Sequence, residues 1–107
     1  MITELRPGEQ VVKQGAANLQ KNVETVGGKL YLTNERLIFE AHRINVLGGV
    51  TQIELEDVKS TLRCWTRFLG FLPVFPNSLA VQTRQGKDYR FVLLGRHAWQ
   101  IAIEESR

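Results

Sequence analysis

Residues 27–40 constrain the chain more tightly than any other stretch. Two strands joined by a two-residue loop at Asn34-Glu35 would set Thr33 opposite Arg36, Leu32 opposite Leu37, Tyr31 opposite Ile38, Leu30 opposite Phe39 and Lys29 opposite Glu40. Side chains alternate faces along a strand, so Leu30, Leu32, Leu37 and Phe39 share one face. The other face carries a Tyr31/Ile38 pair and the opposite charges of Lys29 and Glu40, both favourable cross-strand partners. A slip by one residue would turn the leucines toward polar groups, which specifies the register. Asn34 tolerates positive φ and Glu35 does not favour it, so a longer loop with the same faces is the alternative.

A chain of 107 residues makes a single domain, 1–107, and buries about two-thirds of its unfolded surface. Its hydrophobic content of 43% and charged content of 23% argue against disorder. The 14 basic and 11 acidic side chains are scattered, and their net +3 reads as a soluble surface. Nucleic acid is not an expected partner, because the basic residues form no coherent stripe. The only cysteine, Cys64, permits no internal disulfide, and no metal is expected. The N-terminus has no apolar core and carries Glu4, so no signal peptide is expected. No run approaches the roughly 18 apolar residues that span a bilayer. The expected location is the cytoplasm, with any membrane met at its surface.

Along the chain, alternation predicts a first strand at residues 9–14, prolonged through Leu19 with Gly15 as a bulge or bend. Residues 20–28 read as a polar loop ending in a glycine pair that allows close backbone approach or positive φ. After the 27–40 hairpin, residues 42–49 form a connection, residues 50–58 a strand and Glu56-Asp57 a turn. In the next strand Val58, Ser60, Leu62 and Cys64 face one way, and Lys59, Thr61, Arg63 and Trp65 the other. Two further strands, 78–83 and 88–94, surround a three-residue loop that pairs Val81 with Phe91 and Leu79 with Leu93. Trp99, Ala102 and Ile103 then recur at helical spacing, which predicts a short C-terminal amphipathic helix docked through Trp99. Seven strands on short turns and one helix make a mainly β, α+β arrangement of packed or barrel-like antiparallel sheets.

Little in the chain suggests catalysis. His42 and His97 are the only imidazoles, and neither they nor Cys64 sits in a nucleophile or metal motif. The glycine pairs lack phosphate-loop spacing, so no catalytic residue and no cofactor are expected. Cys64 shares a predicted face with Val58 and Leu62 and reads as a buried core residue; both histidines read as solvent-facing or capping.

The feature that most invites a functional reading is the segment 68–76. It holds Phe68, Phe71 and Phe75 with Leu69, Leu72 and Val74, and its Gly70, Pro73 and Pro76 argue for a loop. A loop this apolar has to be covered. Three covers are open: the domain's own core, a protein partner or second copy, and a bilayer that takes Phe71 and Leu72 while Arg63 and Arg67 meet headgroups.

Several motifs together resemble the GRAM domain of the pleckstrin-homology-like superfamily. They are Leu5 with Pro7-Gly8-Glu9, the run from Gly28 to Glu40, Pro76-Asn77, Gly86 with Tyr89 and Phe91, and Gly95-Arg96 followed by Trp99. The resemblance covers nearly the whole chain in the family's order. It implies a seven-stranded, strongly bent antiparallel sandwich or barrel capped by the C-terminal helix, with Trp99 packed on the sheet. It also implies a non-catalytic module that binds lipids or partners in membrane-associated proteins. The leading expectation is protein–protein or self-association through Phe68, Phe71, Leu72 and Phe75. The alternative is a peripheral anionic-lipid, including phosphoinositide, site at Lys21, Lys29, Arg63 and Arg67.

Overall fold

The leucines of the central hairpin meet as their alternation requires. The computed structural model describes all residues except 22–23, 46–47 and 69–71, and side chains outside 21–23, 43–48 and 66–76. Strand β2 (Glu24–Thr33) pairs antiparallel with β3 (Arg36–Asn45), with Lys29 opposite Glu40, Leu30 opposite Phe39, Tyr31 opposite Ile38 and Leu32 opposite Leu37. The loop is the two-residue one, and Thr33 explains how Glu35 is tolerated there. Its hydroxyl accepts the N–H groups of Glu35 (3.0 Å) and Arg36 (2.9 Å), so the turn is held by a side chain.

The remaining strands are β1 (Val11–Lys21), β4 (Gly48–Glu54), β5 (Val58–Phe68), β6 (Leu72–Thr83) and β7 (Asp88–Leu93). They form one antiparallel sheet in the order β4-β3-β2-β1-β7-β6-β5, and a 3₁₀ turn at Leu55–Asp57 joins β4 to β5. Pairing of β1 with β7, Leu19 opposite Phe91, carries the sheet across from its first four strands to its last three. Leu19, Leu30, Leu32, Leu37, Phe39, Leu79, Val81 and Phe91 are buried in one cluster, and the Phe39 and Phe91 rings lie 5.9 Å apart. Each such side chain contributes about 1.5–3 kcal/mol by leaving water.

Helix α1 (Arg96–Ser106) follows Gly95, whose φ of 69° lets the chain turn off β7 without a Cβ clash. Trp99 and Ile103 are buried in the core cluster, and Ala102 packs against it. Its polar face meets the outer edge of β5. Arg96 donates to the Cys64 carbonyl (2.8 Å), Gln100 to that of Thr61 (3.2 Å), and Arg107 just beyond the helix to those of Val58 (2.9 Å) and Lys59 (2.8 Å). A sheet edge that would otherwise offer free carbonyls is thereby occupied.

Five sequence expectations are corrected. The first strand begins at Val11 and is regular at Gly15, which lies opposite Leu30; the register shift falls between Val11 and Lys13. Neither bending nor packing demands glycine at position 15, since a Cβ there would make ordinary contact with the Trp99 ring at 3.6 Å. Residues 20–28 are not a loop: β1 and β2 form one long hairpin with Lys21 opposite Glu24, because β2 extends through Thr25 and Val26. The β6–β7 connection is four residues long, 84–87, with Gln82 opposite Asp88 and Leu79 opposite Phe91. The Lys87 carbonyl accepts the N–H (3.1 Å) and hydroxyl (2.5 Å) of Thr83 there, and a shift of two residues leaves the buried faces unchanged. In β5 a bulge between Val58 and Ser60 reverses the alternation. Thr61 and Arg63 therefore oppose the buried Val81 and Leu79, while Leu62 is 55% exposed and Cys64 is half-buried instead of in the core.

The fifth correction concerns residues 68–76. Phe68 ends β5, and Leu72 through Pro76 begin β6, paired Phe68 to Leu72, Arg67 to Pro73 and Thr66 to Phe75. Two prolines fit a strand here because β7 pairs with β6 only as far back as Ser78. Among the described strands, residues 72–75 pair with β5 alone, and a strand paired on one side tolerates a missing N–H.

Candidate functional site

The most conspicuous charged group is structural. Arg36 meets Glu9 through two parallel hydrogen bonds, Nε to Oε2 (2.8 Å) and Nη2 to Oε1 (2.9 Å), with side chains 5% and 0% exposed. Thr33 donates to Glu9 (2.6 Å), the Arg6 N–H donates to it (2.9 Å), and Arg36 donates onward to Gln52 (2.8 Å) and the Glu4 carbonyl (3.0 Å). The Arg36 bonds outweigh burial and hold the Glu9 carboxyl down to about 2. The Glu9 carboxylate accepts four hydrogen bonds within this network, which marks the pair as structural.

This network binds residues 1–10 across the face of β2 and β3 that turns away from the core. Asn34 accepts from the Gln10 N–H (2.8 Å), and Glu40 accepts from Ile2 (3.0 Å), the Thr3 N–H (2.7 Å) and the Thr3 hydroxyl (2.7 Å). Burial pushes the Glu40 carboxyl up, but these hydrogen bonds outweigh it and its pKa falls below the ordinary value. Ile38 and Tyr31 point outward by register yet are 0% and 5% exposed, as the overlying segment requires.

Of the four candidate lipid contacts, the side chains of Lys29 and Arg63 are described. Lys29 is exposed on the outer face, its Nζ 5.5 Å from the Tyr31 ring centroid and its strand position opposite Glu40. Arg63 lies opposite Leu79 on β5, and three strands separate β2 from β5. The side chains of Lys21 and Arg67 lie outside the described residues. The same holds for the side chains of Phe68, Leu72 and Phe75, and for Phe71 altogether.

What the backbone shows is an arm. Among the described residues, Thr66, Arg67 and Phe68 of β5 pair with Phe75, Pro73 and Leu72 of β6, beyond the reach of β7. Two large apolar side chains stand exposed at its root, Leu62 at 55% and Trp65 at 51%. Sequence reading missed Leu62 because the bulge after Val58 carries no residue signal. Trp65 falls at a second register shift, between Cys64 and Thr66, so its exposure was not legible from alternation either.

The GRAM domain sequence profile matches residues 1–98. No curated protein matches the chain. Among solved structures, the C-terminal domain of an unknown protein from Leishmania infantum superposes with a TM-score of 0.75 at 17% identity, covering 94% of this chain and 85% of that one. The Vps36 N-terminal PH domain superposes at 0.64 and 17% identity, covering 95% and 84%. The linker–DH/PH domains of p115-RhoGEF superpose at 0.69 and 15% identity, covering 92% of this chain but 29% of that one. These likenesses establish a PH-like fold. The profile match, which spans the Gly28–Glu40 hairpin, establishes the family: this chain belongs to the GRAM domain family, a family of binding modules.

Proposed function

We propose that this chain is a non-catalytic, cytoplasmic protein-association module whose contact surface is the β5–β6 arm, and that a second copy of the chain is the first partner to test. The observation that carries the reading is the joint exposure of Leu62 and Trp65 at the root of an arm whose sequence continues with Phe68, Phe71, Leu72 and Phe75. Large apolar side chains left exposed close together mark an interface more often than bulk surface, and tryptophan is among the residues that dominate binding energy when covered. The scatter of Lys29 and Arg63 weighs against a preformed headgroup pocket, which would need several cations converging on one anion.

The test is sedimentation velocity over a concentration series for the wild type, Phe71→Asp and Trp65→Ser. Association by the wild type that both substitutions weaken at unchanged melting temperature supports the reading. A strict monomer at high concentration, with Phe71→Asp equally soluble and stable, removes it. Co-sedimentation with anionic vesicles forms the second arm. Salt-sensitive binding lost on replacing Arg63 and Arg67 would put a membrane in the partner's place.

A further inference from the structure

The two edges of the sheet are treated differently. The outer edge of β5 is occupied by hydrogen bonds from α1, whereas no described strand pairs with the outer edge of β4. The direction of its free groups follows from one bond beyond the strand. The Leu55 N–H donates to the Glu35 carbonyl (2.9 Å), so Leu55 faces β3. Alternation then turns Ile53 and Thr51 toward β3 and points the N–H and C=O groups of Val50, Gln52 and Glu54 off the sheet, over a span with no register shift. These three residues cover about 13 Å of edge at roughly 3.3 Å per residue.

That edge lines a cleft of about 520 Å³ closed at the far side by the start of β7. Around it are Gln52, Ile53, Glu54, Glu56, Asp57 and Tyr89, three of them carboxylates, and no residue that lines it is a cation. The nearest cations are engaged: Arg6 with Glu54 and Glu35, Arg84 with the Glu56 carbonyl, and Lys87 over the Tyr89 ring at 5.0 Å. The two sides of the cleft differ in character. Ile53 and Tyr89 lie on the core side, while Gln52 and Glu54 lie on the outer side.

We propose that the β4 edge is a docking site for an extended peptide that joins the sheet as an eighth strand, with alternating apolar and basic side chains. Main-chain hydrogen bonds to Val50, Gln52 and Glu54 supply the pairing. Apolar residues of the peptide meet Ile53 and Tyr89, and basic ones meet Glu56 and Asp57, since Glu54 is already paired with Arg6. The site is independent of the β5–β6 arm, and Phe71→Asp is expected to leave it intact.

Glu54 offers a clean test because its φ is −64°, the value a proline ring imposes, and its N–H makes no bond to β3. Glu54→Pro therefore removes one docking donor without breaking the ladder, and Glu54→Gln removes only the charge and its tie to Arg6. Binding of a blocked hexapeptide of alternating valine and lysine is followed by amide chemical shifts and calorimetry, with the valine–glutamate peptide as control. The expected results are binding of the lysine peptide alone, at least a tenfold loss in Glu54→Pro, and a loss of about threefold in Glu54→Gln. Should Glu54→Pro not fold, amide exchange of the wild type decides. The Val50, Gln52 and Glu54 amides should exchange freely and become protected with the peptide. Equal binding of both peptides, shifts confined to other strands, undiminished affinity in Glu54→Pro, or a β4–β4 dimer that the peptide does not displace would overturn the proposal.

Discussion

Replacing Glu9 by Gln removes one charge from a pair whose side chains are 0% and 5% exposed and leaves Arg36 buried without its counter-ion. Losing one partner of a buried pair costs about 3–5 kcal/mol. That is a large share of the roughly 5–15 kcal/mol available to a domain. With each kcal/mol worth about 4–8 °C in a domain near this size, the melting temperature should fall by on the order of 15 °C. Urea unfolding at pH 7, followed by tryptophan emission, measures the difference, and the slope against urea should not change. Glu9→Leu combined with Arg36→Met should recover most of the loss, because an apolar pair of similar volume replaces a buried ion pair at little cost. The pH dependence has a definite sign. Glu9 is depressed in the folded state from 4.5 to about 2, so its stabilising effect is complete above the unfolded value and is lost as pH falls from about 4.5 to about 2. The gap between wild type and Glu9→Gln should close over that interval. A variant within about 0.5 kcal/mol of wild type at pH 7, smaller than the usual effect of a core change, would refute the reasoning.

Two glycine substitutions separate packing from conformation. Gly28→Ala should cost more than about 2 kcal/mol, because its Cβ would meet the Glu40 carbonyl, the Phe39 ring at 2.7 Å and the Ala41 backbone at 2.8 Å. Gly15→Ala should be neutral or stabilising by up to about 1 kcal/mol, since the nearest atom to its Cβ is 3.6 Å away. Thermal melts of both check the pair. Phe91→Ala, at 1% exposure in the centre of the core, should cost about 3–5 kcal/mol by urea titration.

Most of the fold was legible because the informative residues sit where one face is fully buried. Leu30, Leu32, Leu37 and Phe39 specify a register that any slip would violate, and Trp99 with Ile103 specifies the helix face. The failures share a cause. A β-bulge, such as the one after Val58, is a backbone event without a required residue type, so alternation read past it and sent Leu62 and Cys64 to the wrong side. Of the two readings open for Gly27-Gly28, close backbone approach holds and positive φ does not, for Gly28 lets β2 pass close to β3. Pro73 and Pro76 argued against a strand, and only the end of β7 shows why one is allowed. The candidate site was legible as composition, an apolar run between residues 68 and 76, while its place on an arm depended on which strands stop where.

Iodide quenching of the unmodified chain tests the association surface most directly, because one tryptophan reports and the other does not. Trp65 is 51% exposed and open to the ion, and Trp99 at 3% is shielded. As concentration rises through the range where the protein assembles, the quenchable share of emission should fall as Trp65 is covered. Assembly with Trp65 still fully quenchable would contradict the account.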